Sequence, residues 1–270
     1  MNKELAECAK DAALKAGKIL KEGYGTTFDI SSKEGINNLV TEYDHKAEEL
    51  IINHIKSIYP DHSFLAEESG KSGDKQQDKI HWLIDPLDGT VNFAHCIPVF
   101  SVSIAAQRNG DLLCGVIYQP LLDELFIAIK DEGAYLNGKK ISVSDNGDLS
   151  TSFLVTGFPY NVEDNPCRCV DLFVDIVQRG IPIRRLGSAA LDLAYVAAGR
   201  FDGFWEIGLH PWDVAAGVLL IREAGGKVTQ FSGDEYSIHD NTLLATNGSL
   251  HNEIKGILRT CMRVVTTNDN

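Results

Sequence analysis

An apolar run, Trp82-Leu83-Ile84, breaks into Asp85-Pro86-Leu87-Asp88-Gly89-Thr90, and this junction restricts the backbone more tightly than any other stretch. Pro86 fixes its own φ and pushes Asp85 into an extended conformation. Gly89 permits a tight turn, and Thr90 is suited to cap whatever follows. The pattern predicts a strand that ends at Asp85 and then a stiff turn. Two carboxylates three residues apart on such a turn can converge on one place. Hard cations such as Mg²⁺ prefer oxygen ligands of this kind. The Leu87 carbonyl points into the same turn, and the N–H groups of Gly89 and Thr90 can hold a phosphate oxygen. An ordinary Asp-Pro turn with solvated carboxylates explains each residue separately, so the rest of the chain has to decide.

Other acids stand at other element ends. Phe64-Leu65-Ala66-Glu67-Glu68-Ser69-Gly70 puts two glutamates where an apolar strand stops. Asn38-Leu39-Val40-Thr41-Glu42-Tyr43-Asp44 puts Asp44 at a helix N-terminus, most simply as its N-cap. In His210-Pro211-Trp212-Asp213, Pro211 suits the first helical position and Asp213 the first turn, where the helix dipole favours a carboxylate. Glu206 closes the apolar run 201–205. Gly187-Ser188-Ala189-Ala190 opens a helix with small residues, which lets a ligand approach its backbone N–H groups. Taken singly, each placement has a purely structural explanation.

The apolar pattern changes period along the chain. Residues 3–22 carry Leu5, Cys8, Ala9, Ala12, Ala16, Ile19 and Leu20 at helical spacing until Gly23, and residues 44–58 repeat that period. Short apolar runs follow at 63–66, 80–84, 100–106, 112–118 and 125–129, with a hairpin signal at Asn109-Gly110. The first half therefore predicts two helices and a largely antiparallel sheet. In the second half strands at 153–156, 181–185, 201–205, 228–229 and 243–245 alternate with helices at 170–177, 189–198, 211–224 and 249–262. That alternation indicates layered α/β packing. The polar stretch 142–151 divides one domain, residues 1–270, into halves of about 1–145 and 146–270.

A chain of 270 residues, 44% hydrophobic, is ample for such a core. Its net charge of −13 argues against a nucleic-acid partner. An acidic chain acting on anionic substrates needs local positive charge, and bound metal ions can supply it. No apolar run is long enough to span a bilayer, and the first residues do not read as a secretion signal. The six cysteines are scattered, and Cys167 and Cys169 have no second pair to complete a zinc site. Reduced thiols and a cytoplasmic compartment are expected.

Glu67-Glu68-Ser69, then Asp85-Pro86-Leu87-Asp88-Gly89-Thr90, then Trp212-Asp213-Val214-Ala215 resemble the signature set of the inositol monophosphatase family, within a lithium-sensitive, Mg²⁺-dependent phosphatase superfamily. The likeness runs from about Lys3 to the last helix. It implies a five-layer αβαβα sandwich, shared with fructose-1,6-bisphosphatases, in a homodimer. It implies two or three Mg²⁺ ions on Glu67, Asp85, the Leu87 carbonyl, Asp88 and Asp213. It implies a catalytic set of Asp44, Glu67 and Thr90, of which Asp44 and Thr90 orient and help activate the attacking water. Substrate would meet Leu87, Asp88, Gly89 and Thr90 on the phosphate side. Gly187, Ser188, Ala189, Glu206 and Asp213 would be its contacts toward the hydroxyl-bearing ring. Glu68 receives no ligand role. Leu87 and Ser188 stand where the family often has Ile and Thr. Val91-Asn92-Phe93 differs from the Lys-Glu-Phe of the nucleotide 3′-phosphatases and sides with the inositol phosphatase branch.

The resulting expectation is hydrolysis of a small sugar or inositol phosphate, inositol 1-phosphate foremost, by in-line attack of water and with inhibition by lithium. No Cys-x5-Arg stretch offers a thiolate nucleophile instead. Fructose-1,6-bisphosphatase activity, alone or in addition, stays open. Its discrimination would lie around residues 187–189, Glu206 and Lys33-Glu34-Gly35. Nucleotide 3′,5′-bisphosphate and histidinol phosphate are lesser alternatives. A regulatory protein that kept the fold and lost turnover would lack a metal ligand, and every ligand position here is filled.

Overall fold

The helical period of the first residues becomes α1 (Asn2–Gly23), and that of the next becomes α2 (Glu42–Ile58), joined through β1 (Ile30–Ser32) and β2 (Leu39–Thr41), a small antiparallel pair. The computed structural model describes residues 1–32, 39–72 and 78–263. The buried face of α1 is Leu5, Cys8, Ala9, Ala12, Ala16 and Leu20, mostly small residues. Gly17 tightens the fit further, since a Cβ there would stand 2.4 Å from the Tyr118 ring.

The short apolar runs form one sheet: β3 (Ser63–Ala66), β4 (Gly70–Ser72), β5 (His81–Asp88), β6 (Ser101–Arg108), β7 (Asp111–Gln119), β8 (Glu124–Ile129), β9 (Gly133–Leu136) and β10 (Lys139–Ile141). Their order is β10-β9-β8-β7-β6-β5-β3-β4. Within this sheet the β3–β5 pairing is parallel and the others are antiparallel. Asn109 and Gly110 both take positive φ between β6 and β7, as a two-residue hairpin turn requires. After β5 comes the five-residue helix α3 (Thr90–Ala94).

The second sheet holds β11 (Leu154–Thr156), β12 (Ile183–Arg184), β13 (Gly203–Ile207), β14 (Lys227–Thr229) and β15 (Thr242–Thr246) in the order β12-β11-β13-β15-β14. Helices α4 (Cys169–Gln178), α5 (Ala189–Ala197), α6 (Pro211–Glu223) and α7 (His251–Arg263) alternate with its strands.

Period two in the strands assigns the layers. Trp82, Ile84, Val102, Ile104 and Ala106 pack with α1 and α2, whereas Leu83 and Ala105 pack with α5 and α6. In the second sheet Phe204, Leu243 and Ala245 also meet α5 and α6. Trp205, Ile207 and Leu244 face α4 and α7 on the far side. The result is a five-layer αβαβα sandwich, as expected. Helices covered on both sides should be apolar all round, and α6 buries an unbroken run from Val214 to Ile221.

The middle layer fits without slack. A Cβ on Gly115 of β7 would lie 2.7 Å from the Ala216 Cα and 3.0 Å from its carbonyl oxygen, backbone atoms that cannot swing aside. Gly115→Ala should therefore lower stability by about 1–3 kcal/mol in urea unfolding. Gly147→Ala, whose Cβ meets nothing within 4 Å, should leave the midpoint nearly unchanged.

Candidate metal centre

Strand β5 does not end at Asp85, as the sequence pattern suggested. Asp85 pairs with Ser103 and Asp88 with Ser101, so three steps on β5 match two on β6. Pro86 sits in this bulge, where a missing N–H leaves no gap in the ladder. Asp85 continues the side of β5 that carries Leu83, so its carboxyl enters the interior, 2% exposed. One oxygen accepts the Leu87 N–H at 3.0 Å.

Register brings Glu67 to the same place. Ala66 lies opposite Ile84 in the parallel β3–β5 pair, and the Glu67 N–H donates to the Ile84 carbonyl at 3.1 Å. Glu67 thus stands about one strand spacing from Asp85, close enough for its charge to raise the proton affinity of the Asp85 carboxyl.

Asp88 joins the turn to the middle layer. Its Oδ2 accepts the Ser188 hydroxyl at 2.6 Å and the Ala190 N–H at 2.7 Å. Ser188 is the N-cap of α5 and accepts the Leu191 N–H at 3.4 Å. Gly89 is required twice over: its φ is +97°, and a Cβ would come within 2.9 Å of the Val99 carbonyl and 3.2 Å of the Gly187 carbonyl. Asn92 fastens this contact by donating to the Val99 and Leu186 carbonyls, each at 2.8 Å.

Asp44 is not the N-cap of α2. Thr41, extended at the end of β2, holds that position, and Asp44 is the third helical residue of a capping box. Its Oδ2 accepts the Thr41 N–H at 2.7 Å and the Thr41 hydroxyl at 2.6 Å. That leaves Oδ1 for Thr90. Nor does Thr90 cap α3, because Gly89 occupies the cap. The Thr90 hydroxyl lies 3.0 Å from both Asp44 Oδ1 and the Leu87 carbonyl, and its single proton serves one of them at a time. Asp213, in the first turn of α6 as expected, accepts the His210 N–H at 2.7 Å in a second capping box.

The carboxyls burden one another. Asp85 is held well above the usual carboxylate range by burial, then by the charges of Glu67, Asp88 and Asp213. Asp213 rises likewise through burial and Glu67, against the His210 N–H. Burial lifts Asp88 to about 6 despite the Ser188 and Ala190 hydrogen bonds, and Asp44 to about 6 despite Thr41 and Thr90. Glu206, on β13, reaches about 8 through burial and Asp88, with Arg185 opposing. Asp88 and Asp213 are packed in protein yet keep part of their surface open.

These donors are carboxylate and carbonyl oxygens, the ligands of a hard cation, and a bound cation would reverse the upward shifts. Among the described residues no three acidic, histidine or cysteine side chains stand ready-made around one metal position. Mg²⁺ tolerates that arrangement, because it takes one or two carboxylates and completes its octahedron with water and substrate oxygens. The residues present fit that ion.

Several neighbours carry no sequence signal. Asp192 on α5 is buried with one carboxyl oxygen unpartnered among the described residues, and burial with the charges of Glu206 and Asp88 raises it. Gly157 makes room for Glu206, whose carboxyl oxygen would lie 2.2 Å from a Cβ there. Glu48 on α2 takes the N–H groups of Glu68 and Ser69. Lys33-Glu34-Gly35 lies outside the described residues.

The sequence model of the inositol monophosphatase family matches residues 1–263. The chain is 44% identical over 237 residues to the Nus factor SuhB of Escherichia coli, covering 87% of this chain and 88% of that one. It is 42% identical over 252 residues to an inositol-1-monophosphatase of Synechocystis, covering 93% and 88%. The solved inositol monophosphatase from Anabaena superposes with a TM-score of 0.84 at 42% identity, over 96% of each chain.

The raised proton affinities predict how the metal-free protein responds to pH. Glu206 moves from 4.5 to about 8 on folding, so between those values the native state binds the extra proton. That contribution is complete below pH 4.5 and is lost as pH rises toward 8. Asp44 and Asp88 act with the same sign between 3.8 and about 6. In EDTA, urea midpoints should fall from about pH 5 to about pH 8, and Glu206→Gln should flatten the upper part of that fall.

Proposed function

The chain belongs to the inositol monophosphatase family, a family of phosphatases, and from that premise we propose that it hydrolyses a small phosphate monoester with Mg²⁺, inositol 1-phosphate foremost. The observation that carries this reading is the convergence of four carboxyls from three separate elements, Glu67 after β3, Asp85 and Asp88 on β5 and Asp213 on α6, with Glu67 and Asp88 raising both Asp85 and Asp213. Glu67, Asp85, the Leu87 carbonyl, Asp88 and Asp213 would hold two or three ions. When bound, Mg²⁺ supplies positive charge to the phosphate and acidity to water.

The remaining work falls to the chain itself. Thr90 gives its hydroxyl proton to Asp44 Oδ1 and takes one from the attacking water. Asp44, with a pKa of about 6, is mostly ionised at neutral pH and so able to accept it. The N–H groups of Gly89 and Thr90 meet the phosphate. Gly187, Ser188, Ala189 and Glu206 meet the hydroxyl-bearing part of the substrate, and Asp88 holds that side to the metal turn through Ser188 and Ala190. The family likeness supports a homodimer and inhibition by lithium, which can take a Mg²⁺ position without its charge. A second role as a Nus factor is supported by the relative of that name, and a complete set of acidic residues is compatible with both roles.

Asp88→Asn should lower phosphate release at saturating Mg²⁺ by about 100-fold or more. Near-wild-type turnover would sink the assignment. A panel of inositol 1-phosphate, fructose 1,6-bisphosphate, adenosine 3′,5′-bisphosphate and histidinol phosphate should show the highest kcat/KM for the inositol ester.

A further inference from the structure

Helix α2 presents two buried carboxylates to the site from one face. Asp44 and Glu48 are four residues apart, one helical turn, and are 0% and 4% exposed. Asp44 reaches Thr90. Glu48 reaches the loop between β3 and β4, where Ala66 pairs with Gly70 and leaves Glu67, Glu68 and Ser69 as the connection. Its Oε2 accepts the Glu68 N–H and its Oε1 the Ser69 N–H, both at 2.8 Å.

Three successive N–H groups in this loop therefore have defined acceptors: that of Glu67 on the Ile84 carbonyl of β5, and those of Glu68 and Ser69 on Glu48 of α2. The Cα of Glu67 is pinned from both sides, which sets the direction in which its side chain leaves the loop. Gly70, at φ +70°, turns the chain back immediately afterwards. Burying a carboxylate is unfavourable unless its hydrogen bonds are made, and here both oxygens are engaged on consecutive amides. A neutral Gln at this position has one acceptor oxygen, and its amide group would face the second N–H donor to donor.

We propose that Glu48 is a positioning residue that fixes Glu67 against Asp85, so that one rigid helix sets both the Asp44–Thr90 pair and the carboxylate of the β3 loop. This rests on the reading of Glu67 as a metal ligand. Loosening the clamp should weaken cation binding without touching the substrate.

The test uses the full chain and Mg²⁺ alone as probe. Calorimetric titration of Glu48→Gln should show Mg²⁺ bound about 10-fold more weakly than by wild type, the loss typical of a group that orients a ligand. Glu48→Ala should show a larger loss. The Mg²⁺ concentration for half-maximal phosphate release should rise by the same factor, while KM for inositol 1-phosphate at saturating Mg²⁺ stays within about twofold. A folded Glu48→Gln that binds Mg²⁺ as wild type does would overturn the proposal, since a merely structural tie changes the melting temperature alone. Hydrogen exchange at the Glu68 and Ser69 amides of wild type needs no variant. Mg²⁺ should slow it, and indifference to Mg²⁺ would also overturn the proposal. A wild-type chain that binds no Mg²⁺ would instead remove the parent reading, and this one with it.

Discussion

Like charges resist being gathered in a protein interior, and this structure gathers four of them. Glu67 follows β3, Asp85 and Asp88 stand three residues apart on β5, and Asp213 opens α6; burial together with mutual repulsion raises the proton affinity of Asp85, Asp88 and Asp213. Such a cluster is unfavourable until protons or cations neutralise it. The rest of the molecule has to hold it in place regardless. It does so largely with backbone donors and hydroxyls: Leu87 N–H on Asp85, Ser188 and Ala190 on Asp88, His210 N–H on Asp213, and Thr41 and Thr90 on Asp44. Hydrogen bonds of this kind orient a carboxylate while leaving lone pairs available for a ligand.

That arrangement depends on the middle layer. Helices α5 and α6 lie between the two sheets and bring Ser188, Ala190 and Asp213 to the turn that ends β5. Their approach is close because glycines stand where side chains would collide, at Gly115 against Ala216 and at Gly217 against Leu193. Packing of this density transmits small displacements. A shift of α6 would move Asp213 relative to Asp85, so core packing and site geometry are one problem in this fold.

Much of the local structure is legible in the chain. Helical and alternating periods mark α1, α2, α4 to α7 and the main strands to within a few residues, since burial on one face imposes a period that any reader can count. The errors have physical causes. Asp44 reads as a cap because an acid before an apolar helix often is one, but Thr41 satisfies the same helix end and frees Asp44 Oδ1 for Thr90. Pro86 reads as the end of a strand because it cannot donate to a ladder, but a bulge absorbs it and β5 continues to Asp88. Asp192, Gly157 and Glu48 leave no trace in the pattern. A buried acid inside an apolar helix, a glycine beside a distant glutamate and a helix glutamate under a remote loop look like ordinary residues until the chain is folded.

The elements, the layered α/β class, the stiff turn from Asp85 to Thr90 and the family likeness can all be read along the chain, because each rests on near neighbours. That Glu67 stands beside Asp85 is a property of the folded chain, and follows from the parallel register of β3 on β5 across a separation of eighteen residues. So is the hold on Asp88 by the start of a helix one hundred residues away. A carboxylate's function depends on which charges and donors surround it in space, and sequence spacing carries that information only within a turn or a strand.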